Sequence, residues 1–283
     1  MNAKHKSLLE IHISVLLFGL SGLFGKLIVL PPMMIVFGRV VFASIFLYLL
    51  LRYRKKEIRL ERPADYGYMA VIGFLLAIHW STFFLSIQIS TVAIGLLTFS
   101  TFPVFVTFLE PFFFKEKIVT ADIAVALITF LGVVLVVPEF EMGNQLTQGA
   151  LWGGISGFSY ALLSMMNRKY AGKYSGTVIA FYEQFIAAVL LLPFLFWYKP
   201  LVQPADIALL VILGIVFTGV AHSLFINGLK NIRTQTAGII SSAEPVYGII
   251  SAAVLLHEIP SLRELAGGCI ILGAVLYSTV RSK

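Results

Sequence analysis

Several ionisable side chains fall inside long apolar runs, where each costs free energy and so is a functional candidate by default. His79-Trp80 stands ahead of Thr82, Phe83 and Ser86 at helical spacing, a mixed polar and aromatic stripe. Aromatic faces stack on planar or cationic groups, so His79, Trp80 and Phe83 suit a binding cavity, or else a packing stripe with one satisfied histidine. His222 and Asn227 lie in a later run. Imidazole titrates near neutrality, so two histidines at like depth could bracket a carboxylate or relay a proton, or simply bridge helices. Glu244 precedes Pro245, and a proline frees a carbonyl one turn earlier. A carboxylate there could bind an amino group, carry a coupling proton or cap the broken backbone. Pro103 bends an equivalent run without the charge, and Tyr247 is a wall candidate.

Arg39 and Glu183 occupy matching contexts, Phe37-Gly38-Arg39 and Phe181-Tyr182-Glu183. They are expected to form a structural ion pair, because a buried charge needs a partner. Gly154-Ile155-Ser156-Gly157 has the form of an intramembrane serine-protease motif, with His222 as the base it would need. The tetrapeptide is short and sits in a Gly- and Ser-rich run, so the chain is not expected to be an enzyme. No Gly-rich phosphate loop ending in Lys-Ser or Lys-Thr occurs, which argues against ATP-driven pumping. Cys269 is the only cysteine, so neither a disulfide framework nor a cysteine metal site is expected, and no cofactor is implied.

The elements that hold these residues can be read from composition. Of 283 residues, 59% are hydrophobic and 12% charged, too apolar for a soluble domain. Runs of about 20 apolar residues are helices in lipid, because only a helix satisfies its backbone within one segment. Ten are expected, near 8–29, 33–51, 66–86, 91–113, 119–137, 148–166, 176–198, 206–227, 236–256 and 262–280. No small-residue cleavage site comes after the first run, which is therefore expected to stay as a span. Most of the 21 Lys and Arg lie at residues 4–6, 52–62, 115–117, 168–173, 230–233 and 281–283, in alternate connectors. The opposite connectors hold Lys26, Lys199 and Arg263, with Glu139 and Glu141. This asymmetry predicts a multi-pass protein of a bacterial-type cytoplasmic membrane with both termini in the cytoplasm. The net charge of +7 is spread over connectors rather than gathered in a patch, so nucleic acid is not an expected partner.

A shift of 142 residues lays the halves over each other: Phe83 on Phe225, Pro103 on Pro245, Glu116 on Glu258. The chain thus divides into two units, 1–143 and 144–283. Five spans each is an odd number, so the second enters the membrane from the opposite face. The fold class is an all-α integral membrane protein of ten transmembrane helices in two inverted repeats, with a site near the midplane. Glu116 and Glu258, each before a new helix, suit architecture. Glu110, between Leu109 and Pro111, suits a local pair with Lys115. The glycines at 19, 22 and 25 and at 149, 153 and 157 fit internal packing and a homodimer alike.

These features resemble the EamA modules of the drug/metabolite transporter superfamily. The residues that carry the likeness are Pro103 and Glu116, Glu244-Pro245 and Glu258, Arg39, Gly132 and Gly273, over roughly residues 8–280. The resemblance implies ten helices, a central cavity lined mainly by spans one, three, four, six, eight and nine, and movement of small metabolites such as amino acids. One departure is that Phe102-Pro103 stands where the second repeat has Glu244-Pro245, so the acid's role is asymmetric. The function expected is a secondary carrier exporting or exchanging small polar metabolites, with uptake of a larger vitamin- or nucleotide-linked compound as the alternative. Its expected contacts are a small-molecule substrate and membrane lipid. Cysteines placed near residue 57 and at the C-terminus should react with an impermeant maleimide from the same membrane face; reaction from opposite faces would overturn the ten-span topology.

Overall fold

The computed structural model describes residues 3–114, 120–137, 141, 143–170, 172–199, 201–228 and 240–281. Glu116 and the side chain of Glu110 lie outside the described residues. The helices of the first half are α1 (Ala3–Ser21), α2 (Phe24–Leu27), α3 (Pro32–Tyr53), α4 (Pro63–Ile89), α5 (Val92–Phe99), α6 (Phe102–Phe114) and α7 (Thr120–Val136). The second half has α8 (Gln145–Tyr170), α9 (Gly176–Tyr198), α10 (Pro204–Gly214), a π-helix (Ile215–Val220), α11 (Ala221–Gly228), α12 (Glu244–Leu255) and α13 (Leu262–Arg281).

Six helical segments among the described residues are long and apolar enough to cross a membrane. Ile123–Val136 and Glu244–Leu255 are apolar but shorter. The 26-residue α8 is rich in Gly, Ser and Gln. Its position explains this: α8 packs against α4, α5 and α6, so it needs small and polar groups for close helix contact more than a lipid-facing apolar surface.

The helix pairings obey a two-fold rule. Exchanging the halves maps α1 onto α8, α3 onto α9, α4 onto the α10–π–α11 run, α5–α6 onto the segment ending in α12, and α7 onto α13. Under that exchange the α4–α8 contact becomes α11–α1, and α5/α6–α8 becomes α12–α1; all are present. The α3–α9 and α7–α13 contacts map onto themselves and are also present. Two like units facing each other across a pseudo-two-fold axis account for these pairings.

Both repeats break one helix at one register. The first run is helical to Phe99, turns at Ser100-Thr101 and resumes at Phe102; its counterpart is helical at Ile240-Ser241, turns at Ser242-Ala243 and resumes at Glu244. Each break stands just ahead of a proline, Pro103 or Pro245, which cannot supply the amide that a continuous helix requires. In the first repeat, side chains mend the exposed backbone: Ser100 Oγ donates to the Leu96 carbonyl at 2.6 Å and Thr101 Oγ1 to that of Thr98 at 2.7 Å. Hydroxyls of this kind are how lipid-embedded helices tolerate interruption.

The repeats differ by one residue. Pro63-Ala64-Asp65 opens α4 and Pro204-Ala205-Asp206 opens α10, a shift of 141, whereas the prolines at the breaks are 142 apart. The second repeat has thus gained a residue between them, and the π-helix Ile215–Val220 is where a wider turn absorbs it. There Thr218 Oγ1 donates to the Leu213 carbonyl, five residues back, at 2.8 Å.

Close backbone crossings tie the halves together. A Cβ on Gly19 would lie 2.6 Å from the Glu244 carbonyl oxygen and 3.0 Å from Tyr247 Cβ, so only glycine lets α1 touch α12. Gly19→Val should therefore lower stability by about 1–3 kcal/mol. Gly154→Ala, where a Cβ meets nothing within 4 Å, serves as the control. Thermal melts of the detergent-solubilised protein by fluorescence size exclusion check this, with equal melting temperatures as the contrary result.

Candidate functional site

The breaks, α11 and the middle of α4 converge on one cavity. It is lined by Phe18, Ser21, Arg39, His79, Trp80, Phe83, Phe99, Tyr160, His222 and Glu244. His79, Trp80 and Phe83 share a wall because positions i, i+1 and i+4 of a helix span about 100° of arc. Phe99 enters from the residue before the first break and Glu244 from the residue after the second. The cavity holds about 30 Å³, space for only one or two waters. Ligand pockets are about tenfold larger, so a solute of ordinary size would need this cavity to widen.

Arg39 is 1% exposed, and three groups fix it. Its Nε donates to Thr218 Oγ1 at 2.9 Å, and its Cζ stands 3.8 Å from the centre of the Trp80 ring and 5.2 Å from that of Phe84. A desolvated cation–π contact of this kind is worth about 2 kcal/mol. The expected Arg39–Glu183 ion pair is not made. No carboxylate among the described residues lies within 4.0 Å of Arg39, and Glu183 instead accepts from Asn167 Nδ2 and stands 4.0 Å from His222 Nδ1. The two residues match in depth along their helices, but their side chains leave toward different neighbours. Arg39 faces the chamber, where Glu244 is the opposite charge on the wall.

His79 and Ser156 clamp α4 to α8. His79 Nδ1 lies 2.8 Å from Ser156 Oγ and 3.2 Å from the Ser156 carbonyl, while Ser156 Oγ donates to the His79 carbonyl at 3.0 Å. A carbonyl only accepts, so Nδ1 carries the proton and a neutral His79 keeps Nε2 as an acceptor. Ser156 is fully buried and its hydroxyl proton is committed to backbone. The histidine beside this serine is therefore His79 and not His222, and the pair acts as a helix clamp rather than an activated nucleophile.

Four of the six expected cavity residues line the chamber: His79, Trp80, Phe83 and His222. Asn227 and Tyr247 do not. Asn227 is five residues beyond His222, which turns it about 140° away along α11. Tyr247 packs against Ile11, Val15 and Ile240. Sequence reasoning overlooked Phe18, Ser21, Phe99 and Tyr160. Tyr160 stands one helical turn beyond Ser156, and Phe99 adjoins the Pro103 break; both spacings were available as signals.

Polar clusters lie at the two ends of α4, on either side of the chamber residues along that helix. At one end Asp65 on α4 accepts from Lys173 Nζ at 2.6 Å, from Tyr170 OH at 3.1 Å and from Tyr174 OH; Lys173 also meets Glu61 at 3.4 Å. The hydrogen bond to Asp65 outweighs desolvation and raises the Lys173 pKa above the ordinary lysine value, so its charge is held. At the other end Lys26 Nζ donates to the Ser90 carbonyl at 2.6 Å and lies 3.6 Å from Glu258. Glu258 Oε2 accepts from the Val92 amide at 3.0 Å, and Glu264 accepts from Thr91 Oγ1 at 3.0 Å. Carboxylates at the start of α5 meet its unsatisfied amides and positive end. Each cluster joins the first repeat to the second.

The fold, the two-fold pairing and a central chamber define a membrane transporter, and sequence comparison says which kind. Residues 5–137 and 147–280 each match the EamA-like transporter family, and the chain belongs to that family. Over 99% of its length it is 27% identical to the uncharacterized transporter YxxF of Bacillus subtilis strain 168, covering 92% of that protein. It is 28% identical to an S-adenosylmethionine uptake transporter of Rickettsia bellii over 86% of this chain and 82% of that one. A solved crystal structure aligns with a TM-score of 0.68 and 19% identity, over 97% of this chain and 96% of its own, which shows a shared fold.

Thr218→Val removes the acceptor for Arg39 Nε and strands a buried donor, at about 1–3 kcal/mol. Thr218→Ser keeps the oxygen and should recover most of that loss. Melting temperatures of the three proteins check this, and an unaffected Thr218→Val protein would remove Thr218 from the Arg39 support.

Proposed function

We propose that this protein is a secondary carrier that exports or exchanges small polar metabolites, with amino acids and related zwitterions as the first substrate class, across a bacterial-type cytoplasmic membrane. The observation that carries this reading is the chamber wall itself, a clamped Arg39 and an opposed Glu244 among aromatic rings. A zwitterion complements that wall: its carboxylate meets the guanidinium fork and its ammonium the Glu244 carboxylate. One positive and one negative group exclude neither end of such a solute and leave the loaded chamber neutral, which keeps its desolvation cost low. His79 Nε2 offers a further acceptor to the ammonium.

Ten spans in two inverted repeats support alternating access around this chamber. The basic connectors assign the Asp65–Lys173 cluster to the cytoplasmic end and the Lys26–Glu258 cluster to the outer end. In this reading both are shut around a contracted chamber. Rocking one repeat against the other parts one cluster while the other holds, so the solute never sees both sides. Cytoplasmic termini complete the assignment.

A second reading is uptake of S-adenosylmethionine. It is favoured by the relatives of that name and by the rings of Phe18, Trp80, Phe83, Phe99 and Tyr160, which suit a sulfonium and an adenine face. Such a solute carries the same zwitterionic head for Arg39 and Glu244.

Counterflow in proteoliposomes, with a radiolabelled L-amino-acid panel and radiolabelled S-adenosylmethionine, tests both readings. The expected result is saturable exchange of at least one. Arg39→Lys keeps the charge but loses the two-pronged fork, and should raise the half-saturation concentration roughly tenfold to a hundredfold. Exchange unchanged in Arg39→Lys would move the site elsewhere, and no exchange of any probe would sink the carrier reading.

A further inference from the structure

Behind the chamber lies a second polar site with no role in the solute contacts above. Glu183 on α9 is completely buried in the bundle. One of its oxygens accepts from Asn167 Nδ2 on α8, while Oε2 has no hydrogen-bond partner among the described residues. Asn167 Oδ1 and both amide atoms of the neighbouring Gln184 are likewise buried and without a partner among them. His222 Nδ1, at 4.0 Å from Oε2, is the one histidine nitrogen within ion-pair range of Glu183 among the described residues. His222 itself is on the chamber wall, edge-on to Trp80 at 5.1 Å between ring centroids. The imidazole thus stands between chamber water and a carboxylate that water does not otherwise reach.

Charge counting says what this arrangement lacks. With Glu183 ionised and His222 neutral, the pair holds a net negative charge in a dry interior, the costliest state for a buried group. One added proton neutralises it, either as a carboxylic acid donating to Nδ1 or as a carboxylate beside an imidazolium. We propose that Glu183 and His222 together form a proton-binding site that couples solute movement to the transmembrane proton gradient. In the transfer, the Oε2–H bond of Glu183 breaks as an N–H bond forms on Nδ1. The imidazolium then releases a proton from its other nitrogen to chamber water, and reloading reverses the sequence. A small closure of the 4.0 Å gap, or one bridging water, completes the contact.

The surroundings favour a mobile proton over a fixed ion pair. From α8 the facing groups are Asn167 and Tyr160, the latter within electrostatic reach of Glu183. From α3 they are Arg39, which acts on His222, and Tyr48, whose ring lies 6.0 Å from that of Phe181. From α4, His79 is within electrostatic reach of His222, and from α12 Glu244 shares its chamber wall. Arg39 is the permanent cation among them, and it is held by Thr218 and Trp80 rather than by Glu183. A solute carboxylate that engages Arg39 withdraws positive field from His222 and lets it take up a proton more readily. Solute and proton loading are thereby linked through a shared neighbour.

The inference rests on the carrier reading, and the test separates the two. Wild type and Glu183→Gln are reconstituted in proteoliposomes with pyranine inside, and the amino-acid panel and S-adenosylmethionine serve as probes. Counterflow without a gradient tests the carrier alone and should persist within about threefold in Glu183→Gln, whose amide keeps the Asn167 contact. An imposed pH gradient of one unit should drive up to about tenfold accumulation in wild type and none in Glu183→Gln. Wild-type vesicles should also change internal pH when solute is added, a readout independent of any variant's folding. Intact counterflow with no response to the pH gradient in wild type, or an equal response in Glu183→Gln, overturns the proton site and leaves the carrier standing. No counterflow in wild type overturns both.

Discussion

A guanidinium at the centre of an apolar bundle cannot turn to water, so the protein must hold it, and much of the chamber is arranged to do so. Arg39 needs a flat aromatic face beneath it, an acceptor at Nε, and open space in front of its remaining donors. Trp80 supplies the first, Thr218 the second and the chamber the third. Thr218 lies in the π-turn, where its hydroxyl accepts from Arg39 and donates to the Leu213 carbonyl. A polar group that is fixed in advance loses little entropy when a ligand arrives, and such pre-organisation gives affinity without demanding many contacts.

The rest of the molecule holds that arrangement in place. Intra-repeat helices rely on backbone satisfaction within each segment, whereas the ends are closed by discrete ionic and hydroxyl contacts between repeats. Discrete contacts can part as a unit; an apolar interface of the same extent would give a graded slide. The crossings of small residues, such as Gly19 over α12, give the repeats backbone-to-backbone bearings.

Much of the architecture was legible in the sequence because membrane helices announce themselves by length and apolarity, and because prolines mark their own breaks. The register of Pro103 on Pro245 located both interruptions. What the sequence leaves open is azimuth: which neighbour each side chain faces once helices are packed. Arg39 and Glu183 match in depth, yet one looks at the chamber and the other at Asn167. Tyr247 and Asn227 fail for the same reason. Tyr160 and Phe99 were missed because aromatic residues are common in such helices, and only packing separates a wall from a filler. The extra residue near Thr218 is visible in retrospect, from Pro-Ala-Asp recurring at 141 rather than 142.

That single insertion has a consequence for vectorial transport. A chamber with perfect two-fold symmetry would accept a solute in two equivalent poses, and would look the same to a molecule arriving from either compartment. The wider π-turn absorbs the added residue, so the register returns downstream and the equivalence is broken locally, around Ile215–Val220. One half then presents a histidine locked to a serine, and the other presents a threonine under an arginine and a histidine free to look both ways. A lopsided cradle on an even-handed frame gives a head-to-tail molecule one preferred pose. In the proposed carrier, the inward-facing and outward-facing forms would then bind that molecule with unequal strength.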